Sequence, residues 1–321
     1  MNSRDAAGLG YAVVAVAFFA TSPILVRWAA PLSPFAITFG RLASAALVVL
    51  LVERLSRRGA ATRLLPAAEA DARATGELTE PGVGVYADRV SASRVVHASL
   101  WTAVGLFALY GLVAALHFLL YIASLSYTTI AHSLAIVYTA PVFVTLFAAL
   151  LLKESIRPRQ WLGLPVVAVG IAILAGFEPR MDERMLFGDL LALGSAICFG
   201  LYSIAGRRER AAYPLLRYAG LVYLGAAAWL LPAAVVGGIG ELDARSIAAV
   251  VALGVFPLAI GHTLYNASLR RSHPTYVNLV STQEVTLGVL LGYLLLGEAP
   301  SPSTLVGGGL SLVGVALVLL L

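Results

Sequence analysis

The side chains able to do chemistry are few, and they stand where polar atoms are expensive. Arg41 interrupts an apolar run at about 34–52. His117 and Tyr121, four apart within 100–122, share one helix face. His132 and Tyr138 follow in 130–152, and Tyr202 with Ser203 in 188–206. His262, Tyr265 and Asn266 lie on one face of 247–267, and Asn278, Thr282, Gln283 and Glu284 fall in 276–296. Polar groups inside apolar spans are rare and face protein or water, so each is a candidate binding residue. Each also has a plainer reading. Tyr and Ser bond across packed helices, the histidines could be satisfied structural groups, and Arg41 could brace a helix or reach toward an interface.

Glu284 is the candidate functional acid. It stands about 12 Å of helix in from the start of its span, where a charge costs roughly 2.5–3.5 kcal/mol on insertion scales. Such an acid could bind a proton or a substrate amine in turn, or form a fixed hydrogen bond or ion pair with Arg41 or a histidine. Bond-making chemistry has little support. One cysteine and no i, i+4 histidine pair supply no metal cluster. Gly307–Gly309 opens an apolar segment without a preceding strand, so no phosphate loop is indicated. No catalytic residue, metal or cofactor is expected.

The elements that must position these residues are long and apolar. Hydrophobic residues make up 60% of the 321 and charged ones 12%, half the charge of a typical soluble domain. Ten stretches, at about 9–30, 34–52, 100–122, 130–152, 160–177, 188–206, 214–236, 247–267, 276–296 and 303–321, approach the ~20 residues of a helical crossing. Lipid offers no partner for backbone polar groups, so the spans should be helices. The first is long enough to span rather than serve as a cleaved signal, although Arg4 precedes it.

The chain also repeats itself. At a shift of 144 residues, Tyr121-Ile-Ala-Ser-Leu125 meets Tyr265-Asn-Ala-Ser-Leu269, Glu154 meets Glu298, and Gly163 and Gly170 meet Gly307 and Gly314. At a shift of 180, Gly8, Phe19 and Arg27 meet Gly188, Phe199 and Arg207. The difference leaves 36 extra residues in the first copy, within the polar segment 53–97, read as a flexible cytoplasmic loop with room for a short surface helix. Glu284 falls opposite Ala140, so the acid breaks the repeat. Glu154 and Glu298 read as helix-end residues.

Basic residues set the orientation. With the N-terminus inside, Arg4, the arginines of 53–97, Lys153, Arg157, Arg159, Arg207, Arg208, Arg210, Arg217, Arg270 and Arg271 are cytoplasmic. Only Arg180, Arg184 and Arg245 are outside. Equivalent loops of the two copies carry opposite charge habits, as copies of inverted topology require. The net charge of +5 is thereby explained without nucleic acid. The fold expected is all-α integral membrane: ten transmembrane helices as two inverted five-helix repeats, residues 8–177 and 188–321, with both termini cytoplasmic.

These features resemble the EamA-like family of the drug/metabolite transporter superfamily. The resemblance rests on Pro34 followed by Arg41, the Tyr-x-Ala-Ser-Leu segment, Pro141 before Leu-Leu-Leu-Lys-Glu154, and Glu284 through Gly297-Glu298. Departures are Phe19-Ala20 where Trp-Gly is common, Val285 where proline often follows the acid, and the long 53–97 segment. Without that proline, a second-half kink is not assured. The resemblance implies a secondary transporter in the cell (inner) membrane, with a cavity between helices 1, 3, 4, 6, 8 and 9. Many relatives export amino acids or related compounds. Nucleotide-sugar or drug transport is the alternative within the superfamily. A membrane-embedded enzyme or an assembly subunit fits the scattered polar residues less well. The partners expected are a small-molecule substrate and the lipid bilayer, with a monomer or homodimer as the assembly.

The charge bias predicts the outcome of a labelling experiment. In a Cys198→Ser background, the cysteine of Ser91→Cys resists an impermeant thiol reagent in intact cells and reacts after lysis. Reaction without lysis would invert the topology.

Overall fold

A computed structural model of the chain describes residues 3–29, 32–75, 100–128, 130–175, 182–296 and 302–321. Within them the chain is helical, apart from turns and one isolated bridge between Leu32 and Gly240. The helices are α1 (Ser3–Phe19), α2 (Ser22–Trp28), α3 (Pro34–Thr75), α4 (Leu100–Ser124), α5 (Ile130–Val137), α6 (Ala140–Phe147) and α7 (Gly163–Ala175). They continue as α8 (Glu183–Arg208), α9 (Leu215–Val236), α10 (Ala244–Leu253), α11 (Thr263–Leu269), α12 (Pro274–Ser281), α13 (Glu284–Leu296) and α14 (Pro302–Leu320). Asp182 and Asp243 start α8 and α10, each carboxylate accepting a backbone N–H three residues on, from Met185 and Ser246.

Among the described residues, six stretches are long and apolar enough to cross a membrane: Ala6–Trp28, Pro34–Arg57, Trp101–Ser124, Glu183–Arg208, Leu215–Val236 and Ala244–Leu269. The other four expected spans are present as shorter or interrupted helices. Large apolar side chains cover the outside; Leu47 is 70% and Trp101 81% exposed. A water-soluble surface does not present so much hydrocarbon.

Several spans are broken, and the breaks share a device. Between α1 and α2, Thr21 Oγ1 donates to Phe18 O; between α5 and α6, Thr139 Oγ1 donates to Ile136 O; between α12 and α13, Thr282 Oγ1 donates to Leu279 O, all at 2.7 Å. The backbone N–H of each threonine also reaches back three residues, tightening the turn. Pro23 and Pro141 follow the first two breaks. The third has no proline. It lies at the repeat position of the second, so the second-half break forms despite Val285. A fourth irregularity is a π-helical stretch, Gly254–His262, between α10 and α11 around Pro257.

Helix α3 departs from expectation. Where the sequence suggests a flexible loop from Glu53, with at most a short separate surface helix, the helix of the second span runs on unbroken to Thr75. Glu53 pairs with Arg57 one turn on, and alanine, leucine and arginine dominate the later turns, all good helix formers. The rest of the 53–97 segment lies outside the described residues, as does Glu298.

Helices α7 and α14 touch through backbone. A Cβ on Gly170 would stand 2.5 Å from Ser311 N and 2.8 Å from Gly307 O, and one on Gly163 would stand 2.6 Å from Gly314 O. The contact is reciprocal, because Gly163 and Gly170 are the repeat partners of Gly307 and Gly314. A second reciprocal pair joins Gly8 to Ser272 and Gly188 to Thr128.

Gly170→Val should therefore destabilise the protein by about 1–3 kcal/mol, since backbone cannot yield as a side chain can. Gly105→Ala, whose Cβ meets nothing within 4 Å, should be neutral or gain up to ~1 kcal/mol. Thermal unfolding in detergent compares the two; equal melting temperatures would refute the close approach.

Candidate functional site

All four irregularities lead to one cavity. It is narrow as it stands, with about 50 Å³ open to water-sized molecules, so a solute larger than a few waters has to widen it on entry. Ser22, just after the first break, Tyr138 at the second and Glu284, first residue of α13 after the third, all line it. Pro257 and His262 reach it from the π-helical stretch. A carboxylate at the start of a helix is favoured by the helix dipole. Arg41 from α3, His117 and Tyr121 from α4 and Ser281 from the end of α12 complete the polar lining. Phe19, Phe118, Leu134, Val137 and Phe199 supply apolar walls.

Arg41 is 2% exposed, its guanidinium carbon 4.7 Å from the centroid of the Phe118 ring. Its Nε has no hydrogen-bond partner. Glu284 lines the same cavity, yet the ion pairs among the described residues join other groups. Ser22 Oγ, Tyr121 OH and His262 Nδ1 are likewise buried without protein partners. Buried polar atoms are nearly always bonded. Four unbonded ones on different segments, converging on one space, mark a surface made for something other than itself.

Other candidate groups are bonded within the protein, including the Nδ1 of His117, whose ring still lines the cavity. His117 Nδ1 lies 3.1 Å from Ser195 O, and Ser195 Oγ donates to His117 O at 2.9 Å, tying α4 to α8. Asn266 Nδ2 donates to Tyr202 OH at 2.6 Å and to His262 O at 2.9 Å. Tyr265 OH bonds Ser203 Oγ at 2.6 Å and accepts from Asn278 Nδ2 at 3.2 Å. Thr282 shapes the third break, and Gln283 Nε2 donates to Thr282 Oγ1 at 3.2 Å and Ser311 Oγ at 3.4 Å. Tyr202, Tyr265, Asn266, Asn278, Thr282 and Gln283 thus form a layer outside the cavity lining, bonded side chain to side chain except at Asn266 Oδ1, which has no protein partner. Arg41, His117, Tyr121, Tyr138, His262 and Glu284 are the candidates that meet in it. The His132 side chain lies outside the described residues.

Ser22, Ser281 and the phenylalanines were not among the candidates. Thr21-Ser22-Pro23, which matches the Thr-x-Pro pattern of Thr139-Ala140-Pro141, could have flagged Ser22. The phenylalanines carried no signal distinguishing them from ordinary packing.

On the basic side, the ends of three helices are clamped. Glu154 accepts from Arg207 Nε at 3.0 Å and pairs with Arg210 Nη1 at 3.3 Å. Arg207 Nη1 also donates to Leu269 O at 2.8 Å. Glu154 follows a π-helical turn, Ala148–Leu152, that ends on Lys153 in the left-handed region at φ 57°.

A family model described as the EamA-like transporter family matches residues 90–176 and 186–320. A "Probable terminal-alkyne amino-acid exporter" of Streptantibioticus cattleyicolor is 29% identical over 56% of this chain and 60% of its own length. An "Uncharacterized transporter" of Archaeoglobus fulgidus is 27% identical over 61% of this chain and 69% of its own. A crystal structure 20% identical in sequence has the same fold, with a TM-score of 0.71 over 97% of this chain and 96% of that one.

Tyr121 and Tyr265 are repeat partners with different surroundings, and that difference is measurable. Tyr265→Phe removes the acceptor of Asn278 Nδ2 and one of the two bonds of Ser203 Oγ, which keeps Phe199 O, and should cost about 1–3 kcal/mol. Tyr121→Phe removes a hydroxyl that bonds nothing in the protein and should leave stability unchanged. Equal losses in detergent unfolding would contradict this division between bonded layer and cavity.

Proposed function

This chain belongs to the EamA-like transporter family, and from that premise we propose that it exports small metabolites, amino acids or related compounds, by alternating access. The observation that carries the reading is the cavity. It gathers polar atoms without protein partners at the breaks of several apolar helices, the arrangement by which transporters hold solutes at mid-membrane. The name of the Streptantibioticus relative supports the amino-acid class.

The architecture proposed is ten crossings in two inverted halves, 8–177 and 188–321, in the inner membrane with cytoplasmic termini. The reciprocal glycine contacts support it. A two-fold relation that carries Gly163 to Gly307 must carry its Gly314 contact to Gly170, and the second reciprocal pair obeys the same rule. The break before Ala140 repeats before Glu284, as halves of common design would. In this reading the Glu154–Arg207–Arg210 cluster is a cytoplasmic latch, which parts when the cavity opens inward and re-forms when it closes.

Glu284→Gln keeps the shape and removes the charge. We expect it to fold and insert normally but to lose transport or its pH dependence, read as solute efflux from preloaded liposomes at several pH values. Wild-type efflux at every pH would sink the assigned role, and loss of folded protein alone would make Glu284 a structural residue.

A further inference from the structure

We infer that the cavity is a dipolar clamp for a small zwitterion with an apolar body, its carboxylate held at Arg41 and its ammonium at Glu284. The inference rests on the transport reading above and concerns which solute the site accepts. It starts from two opposite charges in one cavity that do not pair with each other. A buried arginine without a carboxylate is costly to keep. Here its Nε bonds nothing, and the face of Phe118 covers one side of the guanidinium. A planar guanidinium donates two parallel bonds to a carboxylate better than any other side chain. Tyr121, within electrostatic reach of both Arg41 and Glu284, holds a spare hydroxyl beside them.

The count of charges selects the solute. One cation and one anion complement one carboxylate and one ammonium. A nucleotide sugar presents a diphosphate, which needs at least a second cation and is repelled by Glu284. Neither histidine supplies that cation readily. His117 is engaged by Ser195, and His262 sits among Phe19 and Phe118, with ring centroids 4.4 and 4.9 Å away. A carboxylate alone would leave Glu284 with the Tyr138 hydroxyl but no countercharge, and an amine alone would leave Arg41 without one, each a buried charge without an opposite charge. The rest of the lining, from Phe19, Phe118, Phe199, Leu134 and Val137, has no group to recognise a second charge. It suits a hydrocarbon or aromatic side chain.

The test needs no variant at first. Purified wild-type protein is titrated calorimetrically with L-leucine, with N-acetyl-L-leucine, which lacks the ammonium, with L-leucinamide, which lacks the carboxylate, and with UDP-glucose. L-leucine should bind roughly 30-fold or more tighter than either derivative, the loss expected when one buried charge is left unpaired, and UDP-glucose should not bind. Each variant should then erase one discrimination only. Glu284→Gln should bring L-leucine and N-acetyl-L-leucine within about threefold, and Arg41→Gln should do so for L-leucine and L-leucinamide. Equal affinity of the wild type for leucine and both derivatives, tighter binding of UDP-glucose, or no leucine binding overturns the clamp. Liposome flux separates this from the function. Efflux of another solute without leucine binding leaves a transporter with a different site, whereas discriminating binding without flux of any bound solute keeps the clamp and removes the transport reading.

Discussion

Lipid provides no hydrogen bonds, and every feature of the site follows from how the chain lives with that. A helix can be interrupted in a bilayer only if the backbone groups it frees are bonded again inside the protein. Here threonine does this at three breaks, its hydroxyl returning to the carbonyl three residues back. At the π-helical stretch, the Tyr223 hydroxyl reaches Leu258 O at 3.4 Å. Satisfied in this way, the breaks persist, and each places a side chain where a straight helix would have buried or exposed it. Ser22, Tyr138, His262 and Glu284 owe their common destination to these local repairs.

The bonded layer outside the cavity has the complementary task. Asn266, Tyr202, Tyr265, Ser203 and Asn278 tie α8, α11 and α12 together, with bonds of 2.6–3.2 Å. Such bonds cost little once formed and much if half-formed, so the layer holds its helices in one arrangement. The lining can then keep polar atoms unbonded without the surrounding structure closing on them.

Much of this was legible in the sequence, though unevenly. Composition and apolar runs identify a multi-pass membrane protein because the bilayer imposes length and polarity directly on the chain. The polar candidates were findable because a polar residue in hydrocarbon always needs a reason. Their division into lining and bonded layer was not legible, since Tyr121 and Tyr265 share the same local motif and differ only in what tertiary packing brings opposite. The break before Glu284 was obscured because threonine and backbone tightening accomplish what proline does elsewhere. The extension of α3 to Thr75 was obscured because mixed charge and alanine read equally well as linker or as solvated helix.

The backbone contact between α7 and α14 has a mechanical consequence. Helices separated by long side chains can slide, because rotamers absorb the displacement. Helices touching at glycine cannot, since a shift of even an ångström drives carbonyl into amide. This pair must move as one rigid strut, with no shear along its seam. If the protein rocks between two shapes, the spacing across this strut stays constant, and the displacement has to be taken up at contacts made by longer side chains.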